Sequence, residues 1–420
     1  MKDFDKIRED IVARVTRIYE EDMAADRKAV HRDDIPISYE HMTPEWLTEV
    51  LYTDRPGVAV TSFSLSENDD GTSNRRRIFL EYNEQGRALG LPPSIFAKAS
   101  QHLIHRISYA LNQSINREGD FYDFVRPRLD VEVIEALFSN YDMESGNSIN
   151  LFEDVQGQVT FMSEDTDISF SRAQDMTRLL ANMHATFSDP DAFKILEGRF
   201  VRWPDMWDML RASEFETYCD KGFLAAQDLI PSRLFKRAAE VWPRTLDSVE
   251  MHHQLPATFC HGDTQLGNWY ITSDDRVGLT DWGGTNLGHW SRDLAYGFGT
   301  WLTPENRRAW ERDLLIGYLD RLRERGVASV PSLDDAFLWY RQQMLSALAY
   351  WTVQVTPSPN IPESTSANHR IACFLGRLAT AVDDLESLDS FIPEVADGGQ
   401  GRVSSSAPDV GDLRHARSAS

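Results

Sequence analysis

Cysteine is scarce. Cys219, Cys260 and Cys373 are the only three in 420 residues, odd in number and far apart, so they build neither a disulfide framework nor a paired-cysteine zinc site. That usage suits a reducing compartment. Clustered basic charge is equally sparse: Arg75-Arg76-Arg77 is the one sizeable basic run, and 66 Asp and Glu against 43 Lys and Arg leave a net charge of −23. Binding a nucleic-acid duplex needs a dense basic footprint, so no nucleic-acid partner is expected. No apolar stretch approaches the ~18 residues of a membrane-crossing helix, and the start Met1-Lys2-Asp3-Phe4-Asp5 has no signal-peptide core. The expectation is a soluble, cytoplasmic protein with no membrane partner. A Gly-x-x-x-x-Gly-Lys-Ser/Thr phosphate loop is also absent, which removes the P-loop NTPases.

What is present is a folding chain. At 41% hydrophobic and 26% charged the composition is globular. Residues 1–35 read as a charged helical extension, with Ile7, Ile11, Val15 and Ile18 near helical spacing. Thr43-Pro44-Glu45-Trp46 reads as a capped helix start. The period then changes: Val58–Phe63, Arg77–Tyr82 and Ser94–Lys98 are short β-rich runs between turn residues. Residues 101–118 return to helical spacing through Leu103, Ile107, Leu111 and Ile115, and Ile149–Phe152 reads as a strand. From about 156 the pattern is mostly helical. Ser171 is positioned to cap a helix carrying Met176, Leu179, Leu180, Met183 and Phe187 on one face, and strand-like pieces at 257–260 and 277–280 interrupt the helices. The Gly/Ser-rich stretch 393–420 reads as a disordered tail.

The densest chemistry lies at the ends of those two interrupting strands. His261-Gly262-Asp263-Thr264-Gln265-Leu266-Gly267-Asn268 is followed by Leu279-Thr280-Asp281-Trp282. Two carboxylates and an amide gathered at adjacent strand ends can hold a divalent ion and an attacking hydroxyl together. Hard cations such as Mg²⁺ take one or two carboxylates plus substrate phosphates, and this division suits phosphoryl transfer. In a His-Gly-Asp turn the imidazole of His261 can fix the loop through its backbone. His184, inside an apolar stripe, reads as a hydrogen-bonded core residue. The spacing of His252, His253, Cys260 and His261 fits no zinc template.

This pattern of His-Gly-Asp, Gly-Asn and Asp-Trp resembles the aminoglycoside phosphotransferase and choline kinase-like superfamily, closest to its ecdysteroid-kinase-like branch. The resemblance covers roughly residues 40–375 and implies an α+β, two-lobe protein-kinase-like fold. A small β-rich N-lobe (36–155) would bind nucleotide, and a larger, mostly helical C-lobe (156–392) would bind the acceptor. It implies ATP and Mg²⁺, with Asp263 as catalytic base, Asn268 and Asp281 on the metal, and Asp293 bracing the catalytic loop. The lysine at the end of the third short strand, Lys98, takes the place of the phosphate-contacting lysine. Glu118, on the apolar face of the 101–118 pattern, turns toward it as an ion-pair partner. Gly71, Thr72 and Ser73 stand in the hairpin that would cover the phosphates, without the usual Gly-x-Gly-x-x-Gly. Glu153 and Val155 fall in the lobe connection that would face adenine.

The activity implied is transfer of the ATP γ-phosphoryl group to a hydroxyl of a small molecule. Only Gly283–Gly288 separates Asp281-Trp282 from His289-Trp290-Ser291-Arg292-Asp293, which leaves no room for a protein kinase's peptide platform. Trp203, Trp207, Trp339, Tyr340, Tyr350 and Trp351 lie in the stretches that would wall the acceptor site. The negative net charge weakly favours a cationic acceptor. Two rivals are weaker. A metallophosphoesterase would want a histidine ligand where Trp269 stands, and a catalytically silent binding protein has no reason to keep every catalytic position filled.

Overall fold

The computed structural model describes residues 3–359, 362 and 368–391; the expected tail at 393–420 lies outside them. Near the N-terminus the helix Phe4–Ala25 is capped by Asp3 and lays Ile11 and Val15 against the helix Leu103–Asn112. The Thr43 hydroxyl accepts from the Trp46 N–H at 3.1 Å and starts the helix Pro44–Tyr52, as its cap sequence indicates.

The small lobe is built on an antiparallel sheet of β1 (Val60–Leu65), β2 (Asp69–Asp70), β3 (Asn74–Tyr82), β4 (Ser94–Ala99), β5 (Ala136–Asp142) and β6 (Asn147–Glu153). The strand order is β1-β3-β4-β6-β5, with β2 on β3. Ile78, Ile95, Ala97, Ile149 and Leu151 turn inward, nearly inaccessible, beneath Trp46. The alternation of strand side chains fixes the opposite face too. In β3, Arg75 and Arg77 point away from that core; Arg75 sits across from Lys98 of β4, which in turn pairs with Asn150 of β6.

The large lobe is mostly helical, with short strands where the chemistry lies. Strands β7 (Val159–Phe161), β9 (Trp269–Thr272) and β10 (Val277–Leu279) form one sheet, and β8 (Thr258–Cys260) pairs with β11 (Asn286–Gly288). The helices Ser291–Trp301, Leu333–Val355 and Asn368–Asp384 pack on one another behind them. Trp282 stacks on Phe121 at 3.7 Å and 6°, joining the second acidic loop to the short helix Arg117–Asp120. Among the described residues no helix is long and apolar enough to cross a membrane.

Several sequence expectations need correcting. The helix expected over 101–118 ends at Asn112, because Gln113 takes a left-handed conformation with φ 45°; a second, four-residue helix begins at Arg117. Ser169, not Ser171, caps the helix Phe170–Thr186, its hydroxyl accepting from the Arg172 N–H. Strand β5 carries only one buried residue, Phe138, so its hydrophobic alternation is faint. The three-residue strands β7 and β11 are too short to impose a period.

Candidate active site

Strand β8 delivers a turn that backbone sterics and one carboxylate hold in place. Gly262 sits at φ +78°, and a Cβ there would lie 2.1 Å from the Gly284 carbonyl oxygen, so glycine is required at this position. Asp293, fully buried in the helix Ser291–Trp301, accepts from the His261 N–H at 2.7 Å and the Gly262 N–H at 2.9 Å, while its own carbonyl accepts from the Thr264 hydroxyl at 2.7 Å. His261 accepts from the Asp263 N–H through Nδ1 at 3.2 Å, which assigns its proton to Nε2, facing the Thr280 carbonyl at 3.1 Å. Burial lowers the basicity of His261, in keeping with a neutral ring that ties the Asp263 loop to the strand leading to Asp281.

Asp263 itself is polarised by its surroundings. Burial pushes its carboxyl up, the nearby Asp281 charge adds to this, and donation from Asn268 and the Tyr296 hydroxyl opposes it, leaving a pKa of about 6. Such a group is ionised at neutral pH and still basic enough to take a proton. Asn268 Nδ2 donates to the Asp263 carbonyl at 2.8 Å and to its carboxylate at 3.0 Å, and Asn268 Oδ1 accepts from Gln265 at 2.8 Å.

Asp281 begins the second loop at φ 66°, a conformation uncommon outside glycine and worth a functional reading. Partial burial works against its charge, but the Lys98 ammonium at 2.8 Å outweighs this and holds the carboxyl below its ordinary value. Lys98 also donates to Glu118 at 2.9 Å, so one ammonium bridges strand β4, the short helix and the second acidic loop. The Asp281 side chain keeps 43% of its surface exposed, toward the cavities. The Asp281 carboxylate and the Asn268 amide oxygen supply hard oxygen donors and no soft ligand, which fits Mg²⁺. The other candidate cluster, His184, Cys260 and Asp293 within 4.8 Å, is already spent: both nitrogens of His184 and both oxygens of Asp293 are hydrogen-bonded.

Two cavities meet at these residues. One, of about 470 Å³, runs along the sheet and is lined by Lys98, Glu118, Phe152, Glu153, Val155 and Asn268 among others. The second, of about 450 Å³, opens on Asp263 and reaches Tyr296, Tyr350 and Trp351. Lys98, Asn268 and Asp281 line both. The structure therefore gathers Asp263, Asn268, Asp281, Lys98 and Glu118, with Glu153 and Val155 farther along the first cavity.

The hairpin residues behave differently. Gly71 and Thr72 line the second cavity, not the first. The Gly71 N–H is bonded to the Ser73 carbonyl at 2.9 Å and its carbonyl is held by His105. Ser73 is buried. Both backbone polar groups of Gly71 are thus used within the fold, and Asp69 stands at the first cavity's wall. Arg75 and Arg77, on the same face of β3 as each other, line that cavity too. Sequence reasoning passed over this pair, although period-two alternation in Arg75-Arg76-Arg77 was the signal. It also passed over Tyr296, three residues beyond Asp293 and so on the same side of one helix. Of the expected acceptor aromatics, Tyr350 and Trp351 reach the second cavity, while Trp203 and Tyr340 are buried in the core and Trp207 packs against Phe215 and Trp242.

No curated protein matches the chain significantly. Among solved structures, an ethanolamine kinase of Plasmodium vivax is 10% identical, with a TM-score of 0.43 over 78% of this chain and 83% of that one. A macrolide 2'-phosphotransferase of Brachybacterium faecium is 14% identical, with a TM-score of 0.42 over 78% of this chain and 96% of that one. The model of the phosphotransferase enzyme family (APH) matches residues 65–328, a span that includes Lys98, Glu118 and the whole of both acidic loops. Since that span is well over half of the chain, the protein belongs to the phosphotransferase enzyme family.

Proposed function

We propose that the protein transfers the γ-phosphoryl group of ATP to a hydroxyl of a small molecule. The observation that carries this is the convergence of Lys98, Asn268 and Asp281 where two cavities meet, with Asp263 facing the second. A nucleotide in the first cavity would bring its terminal phosphate to that junction, and a hydroxyl in the second would reach Asp263.

Asp263 takes the hydroxyl proton as the acceptor oxygen bonds to the γ-phosphorus and the bond to the β-phosphate bridging oxygen breaks, releasing ADP. Asn268 and Tyr296 keep the Asp263 carboxylate aimed at the acceptor, and Asp293 with His261 keeps the loop in place. Lys98, oriented by Glu118, anchors the α/β-phosphates. Mg²⁺ held by Asp281 and Asn268 would neutralise charge developing on the phosphates. The carboxylates act by position, since phosphoryl transfer asks a protein chiefly for alignment and electrostatic stabilisation.

The metal half of this reading is tested by Asp281→Ala. Asn268 is neutral and cannot replace the lost charge, so calorimetry should show Mg²⁺-dependent ATP binding lost; unchanged Mg-ATP affinity and activity would refute it.

A further inference from the structure

The second cavity has an unusual charge balance. Four cations line it: Arg75, Lys98, Arg117 and Arg370. Three are already matched by carboxylates, Arg75 by Asp69 at 3.0 Å, Lys98 by Glu118 at 2.9 Å and Arg370 by Glu164 at 2.8 Å. Arg117 is not. It is only 4% exposed, yet no carboxylate among the described residues pairs with it. Its Nη2 donates to the Asn112 carbonyl at 2.8 Å, its Nη1 rests on the Met206 sulfur at 3.2 Å, and its Nε has no partner. Burial works against this charge, and a buried guanidinium lacking an anion is costly to keep.

To a cation the cavity offers aromatic faces but few carboxylates. Among the described residues lining it, the sole carboxylates are Asp263 and Asp281, the two that phosphoryl transfer occupies. Behind its wall lies a second guanidinium, Arg292, stacked 4.3 Å from the Tyr296 ring and 5.3 Å from Tyr350, without a hydrogen-bond partner on any of its three nitrogens. The cavity's lining also includes the apolar and aromatic Met206, Leu210, Phe215 and Trp351.

We propose that the acceptor is a hydroxy compound with an apolar body and an anionic group, a carboxylate or its like, which Arg117 receives while the hydroxyl meets Asp263. This rests on the phosphotransferase reading and deepens it. It reverses the weak preference for a cationic acceptor drawn from net charge, because among the described residues only Asp263 and Asp281 of the acids behind the −23 line this cavity. The short helix Arg117–Asp120 then serves both cavities: Glu118 orients Lys98 for the nucleotide, and its neighbour Arg117 selects the acceptor.

The test uses matched pairs of equal chain length, 8-hydroxyoctanoate against 8-aminooctan-1-ol and 12-hydroxydodecanoate against 12-aminododecan-1-ol, with Mg-ATP and ADP release as readout. A charge-assisted hydrogen bond in a buried site gives the acids about 30-fold higher kcat/KM than the amino alcohols. Arg117→Met should bring that ratio close to one by raising KM for the acid, and Arg117→Lys should restore part of it, which a purely structural arginine would not do. Equal or better use of the amino alcohols by the wild type, or a preference for acids untouched by Arg117→Met, overturns the proposal. Failure of the phosphotransferase reading looks different: no Asp263-dependent ADP release with any acceptor. In that case titrating the acid against its amine into protein loaded with Mg²⁺ and a non-hydrolysable ATP analogue still decides the role of Arg117, since equal binding of the two rejects it.

Discussion

A Cβ on Gly262 would collide with the Gly284 carbonyl at 2.1 Å in a residue already at φ +78°. The carbonyl oxygen is backbone and the Cβ is fixed to its own Cα, so nothing flexible can yield. Gly262→Ala should cost about 1–3 kcal/mol from backbone strain alone and displace Asp263, so urea unfolding should show the loss of stability together with a loss of turnover; a fully stable, fully active variant would contradict the account of the turn. Single residues are also where the sequence was most readable. His261, Asp263, Asn268 and Asp281 lie in two short segments whose chemistry is unusual, so their types and spacing announce them. Tyr296 and Arg292 were not readable, because on a helix buried along its whole length a tyrosine or arginine looks like packing until the fold shows that one touches the Asp263 carboxylate and the other stacks beneath the cavity wall. Nor could the sequence show that the hairpin uses both backbone polar groups of Gly71 internally.

Lys98 and Glu118 bring the argument to the level of elements, since strand β4 and the short helix Arg117–Asp120 are joined through this pair. The pairing was readable from the sequence, but its route was not. Helical spacing carried unbroken from Leu103 to Glu118 assumed one helix, whereas Gln113 ends the first and a second turns Glu118 back toward the sheet. A left-handed glutamine carries no sequence signal of the kind glycine gives. Because Lys98 meets both Glu118 and Asp281, Lys98→Ala and Glu118→Ala should each weaken nucleotide use and be non-additive together, with a coupling of about 0.5–3 kcal/mol. Losses in kcat/KM that simply add would show that the two side chains do not act as one anchor.

At the scale of the molecule, the two-lobe arrangement was legible because strand-period runs precede residue 153 and helical ones dominate after it, whereas the short strands β7, β9 and β11 around the acidic loops were not, each being set by tertiary pairing. The path between the second acidic loop and the helix Ser291–Trp301 is correspondingly brief. It is taken up by a turn and by β11, which pairs with β8 and places Asn286 opposite Cys260. No peptide platform can be built from so little chain, so incubation with labelled ATP and mixed protein substrates should label none of them, and robust Asp263-dependent labelling of added protein would contradict this. The central claim, that Asp263 is the proton acceptor at a site which binds Mg-ATP through other residues, is tested most directly by Asp263→Asn, with Mg-ATP affinity and phosphoryl transfer measured on the same preparation. The account predicts that ATP still binds while transfer falls by about 10²–10⁴, the usual contribution of a general base; a variant that keeps more than about half of wild-type turnover, far above that range, would contradict it.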